Sequence, residues 1–160
     1  MRSKLIFLFW GLIFIDVASP LEKKNDTLFQ TDIFEAFTAL SEYPKNITRN
    51  YTFELMRVDL APDGVVRPVW AVNGQYPGPM IRANIGDKFN ITVKNHFGDP
   101  TAIHWHGIDQ KGTNWFDGVP GTTQCPIPNG VNFSYIFNLN QSGTYWYHSH
   151  FFSQLVDGTR

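Results

Sequence analysis

Two short stretches decide how this chain is read: His104-Trp105-His106-Gly107 and Tyr145-Trp146-Tyr147-His148-Ser149-His150. Each carries two histidines one residue apart, and together they hold four of the chain's five histidines. On a β-strand, residues i and i+2 share a face, so each His-x-His presents two imidazoles to one side. Two such pairs on neighbouring strands gather four imidazoles around one small volume, and neutral imidazole is a ligand for Zn, Cu, Fe and Ni. His104, His106, His148 and His150 are therefore the candidate metal ligands. His96 stands alone and reads as an ordinary surface or hydrogen-bonded residue. Trp105 and Trp146 read as alternating away from the ligand face, as core packing. Gly107 follows the first pair and Gly143 precedes the second; both suit a close backbone approach or a bend at a strand end.

Outward from these stretches the pattern is strands and turns. Tyr51 to Val58 has strand composition, with Phe53 and Leu55 on one face and Met56 and Val58 on the other. Ala61-Pro62-Asp63-Gly64 is a turn signal. Val65 to Val72 is a second strand, and Pro68 within it indicates an edge. After the turn-rich Asn73 to Pro79, Met80 to Ala83 is short and extended. From Asp87 to Lys94, Phe89, Ile91 and Val93 alternate with Lys88, Asn90, Thr92 and Lys94. Thr101 to His106 carries the first histidine pair. Residues 107–130, rich in Gly, Pro, Asn and Asp, form a long ordered loop. Phe133, Tyr135 and Phe137 alternate with Asn132, Ser134, Ile136 and Asn138, and Thr144 to His150 carries the second pair. Short strands at this spacing predict an all-β Greek-key sandwich or barrel.

A length of 160 residues supports one domain with a tail, and a net charge of −1 gives no reason to expect nucleic acid or an anionic membrane as partner. Residues 1–19 read as a secretory signal: Arg2 and Lys4, an apolar run from Leu5 to Ile15 too short for a comfortable membrane span, then the small residues of Val17-Ala18-Ser19. An uncleaved signal anchor is the alternative. Residues 20–49 are a leader whose Phe29, Ile33, Phe37 and Leu40 recur at helical spacing, either a short amphipathic helix or a processed or poorly ordered segment. Sequons at Asn25, Asn46, Asn50, Asn90, Asn132 and Asn140 agree with passage through a eukaryotic secretory pathway and N-glycosylation. Cys125 is the only cysteine. In a secreted chain it is a free thiol or pairs with a cysteine elsewhere.

Residues 50–160 resemble the first cupredoxin (plastocyanin-like) domain of the multicopper oxidases, the group of laccases, ascorbate oxidases and fungal ferroxidases. The matching segments are Val72 to Pro79, His104-Trp105-His106-Gly107, Asn114-Trp115-Phe116-Asp117-Gly118-Val119, Thr123-Gln124-Cys125-Pro126-Ile127 and Gly143 to His150, in the family's order and spacing. The resemblance implies a trinuclear copper cluster held by four His-x-His motifs, two from the first domain and two from the last. His104 matches a ligand of the type 2 copper, His106 and His148 ligands of one type 3 copper, and His150 a ligand of the other. Asp117 matches an acidic residue near the type 2 copper that orients a ligand or water and assists proton delivery; the plainer reading is a turn Asp before Gly118. Cys125 matches a cysteine that in laccases is bonded to a segment near the far C-terminus.

The family oxidises its substrate at a type 1 copper, which needs a Cys thiolate with two His. That site lies in the last domain, whereas Cys125 has no His near it in sequence. Family members also continue past the stretch that ends here at Asp157-Gly158-Thr159-Arg160. The expectation is an N-terminal fragment of a secreted laccase-like oxidase, inactive alone. The parent couples one-electron oxidation of phenolic or similar donors to reduction of O2. The alternatives are a ferroxidase taking Fe(II), which in this family is usually membrane-tethered, and a non-catalytic copper-binding module. Zinc hydrolases and cupins also use His-x-His, but they need further His, Asp or Glu ligands that this sequence does not place.

Overall fold

The computed structural model describes residues 46–159 and, for its backbone, the strand β1 (Ile15–Ala18). The remainder of the predicted signal and the leader through residue 45 lie outside the described residues. Seven further strands follow: β2 (Thr48–Leu60), β3 (Arg67–Val72), β4 (Ile81–Asn84), β5 (Lys88–His96), β6 (Ile103–His106), β7 (Asn132–Asn138) and β8 (Gly143–Ser149), with a 3-10 turn at Asn114–Phe116. They form two four-stranded sheets, ordered β4-β1-β8-β6 and β3-β2-β5-β7. Strands β1 and β4, and β2 and β5, run parallel; the other pairs are antiparallel. The all-β sandwich expected from the alternation is the fold observed.

The inward rows are the apolar ones that period two selects. Phe53 and Leu55 of β2, Phe89, Ile91 and Val93 of β5, Tyr135 and Phe137 of β7, and Trp105 and Tyr147 of the opposite sheet are all buried. Trp105 sits at the centre, its ring meeting those of Phe53, Tyr135, Phe137 and Tyr147 at centroid distances of 5.2–6.3 Å. Truncating such a residue costs about 3–5 kcal/mol. Trp105 therefore ties the first histidine strand to the facing sheet, as a core residue.

Several boundaries shift by a few residues from expectation, and three of the shifts have a cause in the pairing. β2 begins at Thr48 rather than Tyr51, because parallel pairing with β5 already starts at Thr48 opposite Lys88. The buried Asp87 carboxylate fixes that start by accepting from Ile47 N, Asn84 N and Arg49 Nε. Burial pushes the Asp87 pKa up, but those donors and the Arg49 charge outweigh it and hold the carboxyl below its usual range. β3 begins at Arg67, because its pairing with β2 stops at Arg67 opposite Leu60 and leaves Val65 and Val66 in the exposed turn. It is an edge strand, as Pro68 requires. β8 ends at Ser149, so His150 lies just beyond it.

Candidate metal centre

β6 and β8 pair antiparallel with His104 opposite His148, Trp105 opposite Tyr147 and His106 opposite Trp146. Alternation sends Trp105 and Tyr147 into the core and leaves His104, His106, His148 and Trp146 on the other face. His150 follows the strand end, held by its own N–H donating to Ala102 O at 2.9 Å. The four predicted histidines thus converge. Ring nitrogens of His104, His106 and His148 all lie within 4.8 Å of one another. The His150 ring centroid is 5.5 Å from His104 and 6.0 Å from His148.

Trp146 was expected in the core, and the structure corrects this. Residues 146, 148 and 150 share one parity, so Trp146 belongs to the ligand face. Its half-buried indole stacks on His148 at 4.2 Å and 29° and on its cross-strand partner His106 at 4.8 Å and 27°.

Backbone carbonyls set the tautomers. His104 Nδ1–H donates to Asp117 O at 2.7 Å, and His148 Nδ1–H donates to Ser149 O at 2.8 Å. Both rings therefore keep an unprotonated Nε2. His106 Nδ1 lies 3.3 Å from His148 Nε2 and donates to it. Burial pushes the His148 pKa down to about 4; repulsion from His104, His106 and His150 adds to this, and the Ser149 carbonyl opposes it. His148 is thus neutral at neutral pH, as a ligand must be.

The 107–130 loop supplies the His104 anchor. Asp117 N donates to Asn114 O at 3.1 Å, closing the 3-10 turn, and Phe116 packs against Phe133 and Tyr135. Gly118, at φ +82°, lies directly on the Ile103–His104 backbone, where any Cβ would collide with Ile103 O. Only glycine lets the loop approach closely enough for the Asp117 carbonyl to reach His104. The Asp117 carboxylate oxygen sits 3.4 Å from His104 Nδ1, so this ring is oriented by the main chain with the carboxylate beside it. Cys125, further along, is exposed.

Behind the ligand strands lies a support that the sequence reading missed. Buried Gln154 accepts from Thr101 Oγ1 at 2.7 Å and Ser149 Oγ at 2.6 Å, and its Nε2 donates to Pro100 O at 2.9 Å. Ser149 separates His148 from His150, so Gln154 fastens both histidine strands from behind.

The multicopper oxidase family model matches residues 54–160. Over 112 residues the chain is 50% identical to Laccase-1 of Cryptococcus neoformans, covering 69% of this chain and 18% of that protein. The crystal structure of the Botrytis aclada laccase superposes with a TM-score of 0.70 at 45% identity, over 75% of this chain and 22% of that one. Fet3p, described as a multicopper oxidase that functions in iron import, superposes with a TM-score of 0.68 at 41% identity, over 70% and 22%. The chain thus spans about a fifth of the length of the proteins it matches.

Proposed function

The chain belongs to the multicopper oxidase family, and on that premise we propose that it is the N-terminal cupredoxin domain of a secreted laccase-like oxidase. That oxidase couples one-electron oxidation of phenolic or similar donors to four-electron reduction of O2 to water. The observation that carries this reading is the convergence of four histidines at β6 and the end of β8, with the Nδ1 atoms of His104 and His148 held by carbonyls. A cluster of uncharged imidazoles suits copper. His104 would serve a type 2 copper, His106 and His148 one type 3 copper, and His150 the other. When bound, these coppers supply the electrons that reduce O2. The remaining ligands and the type 1 site that accepts electrons are assigned to C-terminal cupredoxin domains of the same polypeptide.

The chain's own residues perform three tasks. The Asp117 and Ser149 carbonyls hold His104 and His148 with their Nδ1 protons in place, so Nε2 is the nitrogen each ring would offer to copper. Trp146 covers His106 and His148 and keeps water off one side of each ring. The Asp117 carboxylate, beside His104, is placed to take up and release a proton during oxygen reduction.

Secretion and N-glycosylation complete the reading, supported by the basic-then-apolar start of residues 1–19 and the six sequons. Among the described residues no helix is long and apolar enough to cross a membrane. The mature N-terminus is expected at or after Ser19. An intact Met1 start on the exported protein would overturn the leader assignment and make β1 a permanent strand.

The decisive experiment uses the full-length protein. Metal analysis and O2 uptake with a phenolic donor are measured for wild type, His104→Ala and His148→Ala. Both variants are expected to lose copper and O2 uptake; full activity in either overturns the ligand assignment. A ferroxidase is the second reading, favoured by the likeness to the iron-import oxidase. A higher kcat/KM for Fe(II) than for phenols would establish it in place of the laccase reading.

A further inference from the structure

The outward face of β2, β5 and β7 carries three sequons whose spacing in space is invisible in sequence: Asn50-Tyr51-Thr52, Asn90-Ile91-Thr92 and Asn132-Phe133-Ser134. The pairing register sets Asn50 directly opposite Asn90, and aligns Thr52, Thr92 and Ser134 in the next row. Asn132 stands one row further, opposite Lys94. The Thr92 and Ser134 hydroxyls meet at 3.0 Å, and Asn90 Nδ2 donates to Asn50 Oδ1 at 2.9 Å. Two glycan acceptors forty residues apart in the chain are therefore adjacent and hydrogen-bonded.

They are not equivalent. β3 pairs with β2 only from Leu55 onward, so at Asn50 the described sheet has a neighbour on one side alone, and Asn50 is exposed. Asn90 lies between Asn50 and Ile136 on a strand paired on both sides, and it is half-buried. In-register neighbours on adjacent strands are separated by only about 4.8 Å. A pyranose ring with its substituents is wider than this, so two glycans cannot rise side by side from Asn50 and Asn90. A glycan on Asn50 Nδ2 leaves Oδ1 free to accept the Asn90 bond, whereas one on Asn90 replaces a hydrogen of the very nitrogen that makes the bond and crowds it.

We propose that Asn50 and Asn90 form a single N-glycan position, occupied at Asn50, with Asn90 kept bare beneath it. This rests on the secretory reading given above. In the transfer, Asn50 Nδ2 bonds to the anomeric carbon of a lipid-diphosphate-linked oligosaccharide. The bond from that carbon to the diphosphate oxygen breaks, the lipid diphosphate leaves, and the amide gives up one proton to a base of the transferase. Transfer takes place on the extended chain. The register of β2 against β5 then excludes doubly modified chains from the folded, exported pool.

The test is glycopeptide mass spectrometry on the exported full-length protein, with enzymatic deglycosylation in heavy-oxygen water marking each occupied asparagine. The expected result is a mark at Asn50 and none at Asn90. Asn90→Gln should leave the glycan number unchanged. Marks on both residues, a mark on Asn90 with Asn50 bare, or a lost glycan in Asn90→Gln would overturn the proposal. Glycans at Asn132 or Asn140 with Asn50 unmarked would overturn it while leaving the secretory reading intact. No mark at any sequon would overturn both.

Discussion

The four histidines come from identical spacings, yet they form two unlike pairs. His104 and His148 face each other across β6 and β8, and each has its Nδ1 fixed by a carbonyl. His106 and His150 flank them, exposed, with no carbonyl on either ring among the described hydrogen bonds. The inner pair is held by the main chain; in the outer pair, His106 is held by side chains, stacked on Trp146 and bonded to His148, and His150 meets the rings of His104 and His148. The i and i+2 rule determines only which face a ring occupies. How rigidly the ring is held depends on what the rest of the chain places behind it.

Several substitutions would test this contrast. The largest effect is expected from Gly118→Ala, which drives a methyl into the Ile103–His104 backbone and withdraws the His104 anchor. Loss of ~3 kcal/mol or more of stability is expected, measured by denaturant unfolding; a stability close to wild type would show that the loop can retreat from β6 without cost. Next come the ligands. Alanine at His104 or His148 should cost more copper affinity than alanine at His106 or His150, measured by competition with a chelator. Equal losses would erase the distinction between inner and outer pairs. Trp146→Ala, which uncovers His106 and His148, should weaken copper binding by about 10–100-fold, with Trp146→Phe restoring most of it.

Acid stability gives a smaller effect. Above pH 6.5 His148 is neutral whether the chain is folded or unfolded. Between pH 6.5 and about 4 the unfolded chain takes up a proton that the fold refuses, so stability falls as pH falls; below about 4 this contribution levels off. Urea midpoints of metal-free protein should show this slope, and His148→Gln should lack it. The smallest effect on metal binding is expected from Asp117→Asn, since the carbonyl that holds His104 survives. Copper content should stay near wild type while O2 turnover falls, by at least ~10²-fold if the carboxylate carries the proton. Loss of copper in this variant would mean that the carboxylate, and not the carbonyl, holds the ring.

The strands and the convergence of the four histidines were legible because both rest on period two, which acts locally and repeats. What was not legible depends on contacts between distant segments. The Asp117 carbonyl leaves no mark in sequence, since every residue has one; the only trace is Gly118, which looks like an ordinary turn glycine. Gln154 lies between Phe151-Phe152 and Leu155-Val156 with no pattern that marks it, and one of its partners, Thr101, is distant in sequence. β1 (Ile15–Ala18) starts on the last residue of the apolar run and falls inside the stretch read as a secretory signal, so it was not read as a strand, and its neighbours β4 and β8 lie far along the chain. Trp146 is a different case. Its parity with His148 and His150 was available from the numbering, and its expected place in the core came from misreading that parity as the one Trp105 has.

Trp146 also gives the site an optical consequence. An indole in van der Waals contact with two imidazoles shares their immediate surroundings, and a paramagnetic Cu(II) held by those rings would quench its emission by contact-range electron exchange. Trp105, walled into the core on the other face, would be less affected. Titrating copper into the metal-free protein should therefore dim a distinct fraction of the tryptophan fluorescence, one that Trp146→Phe removes. The same stacking that steadies the rings makes this tryptophan a built-in gauge of how full the centre is.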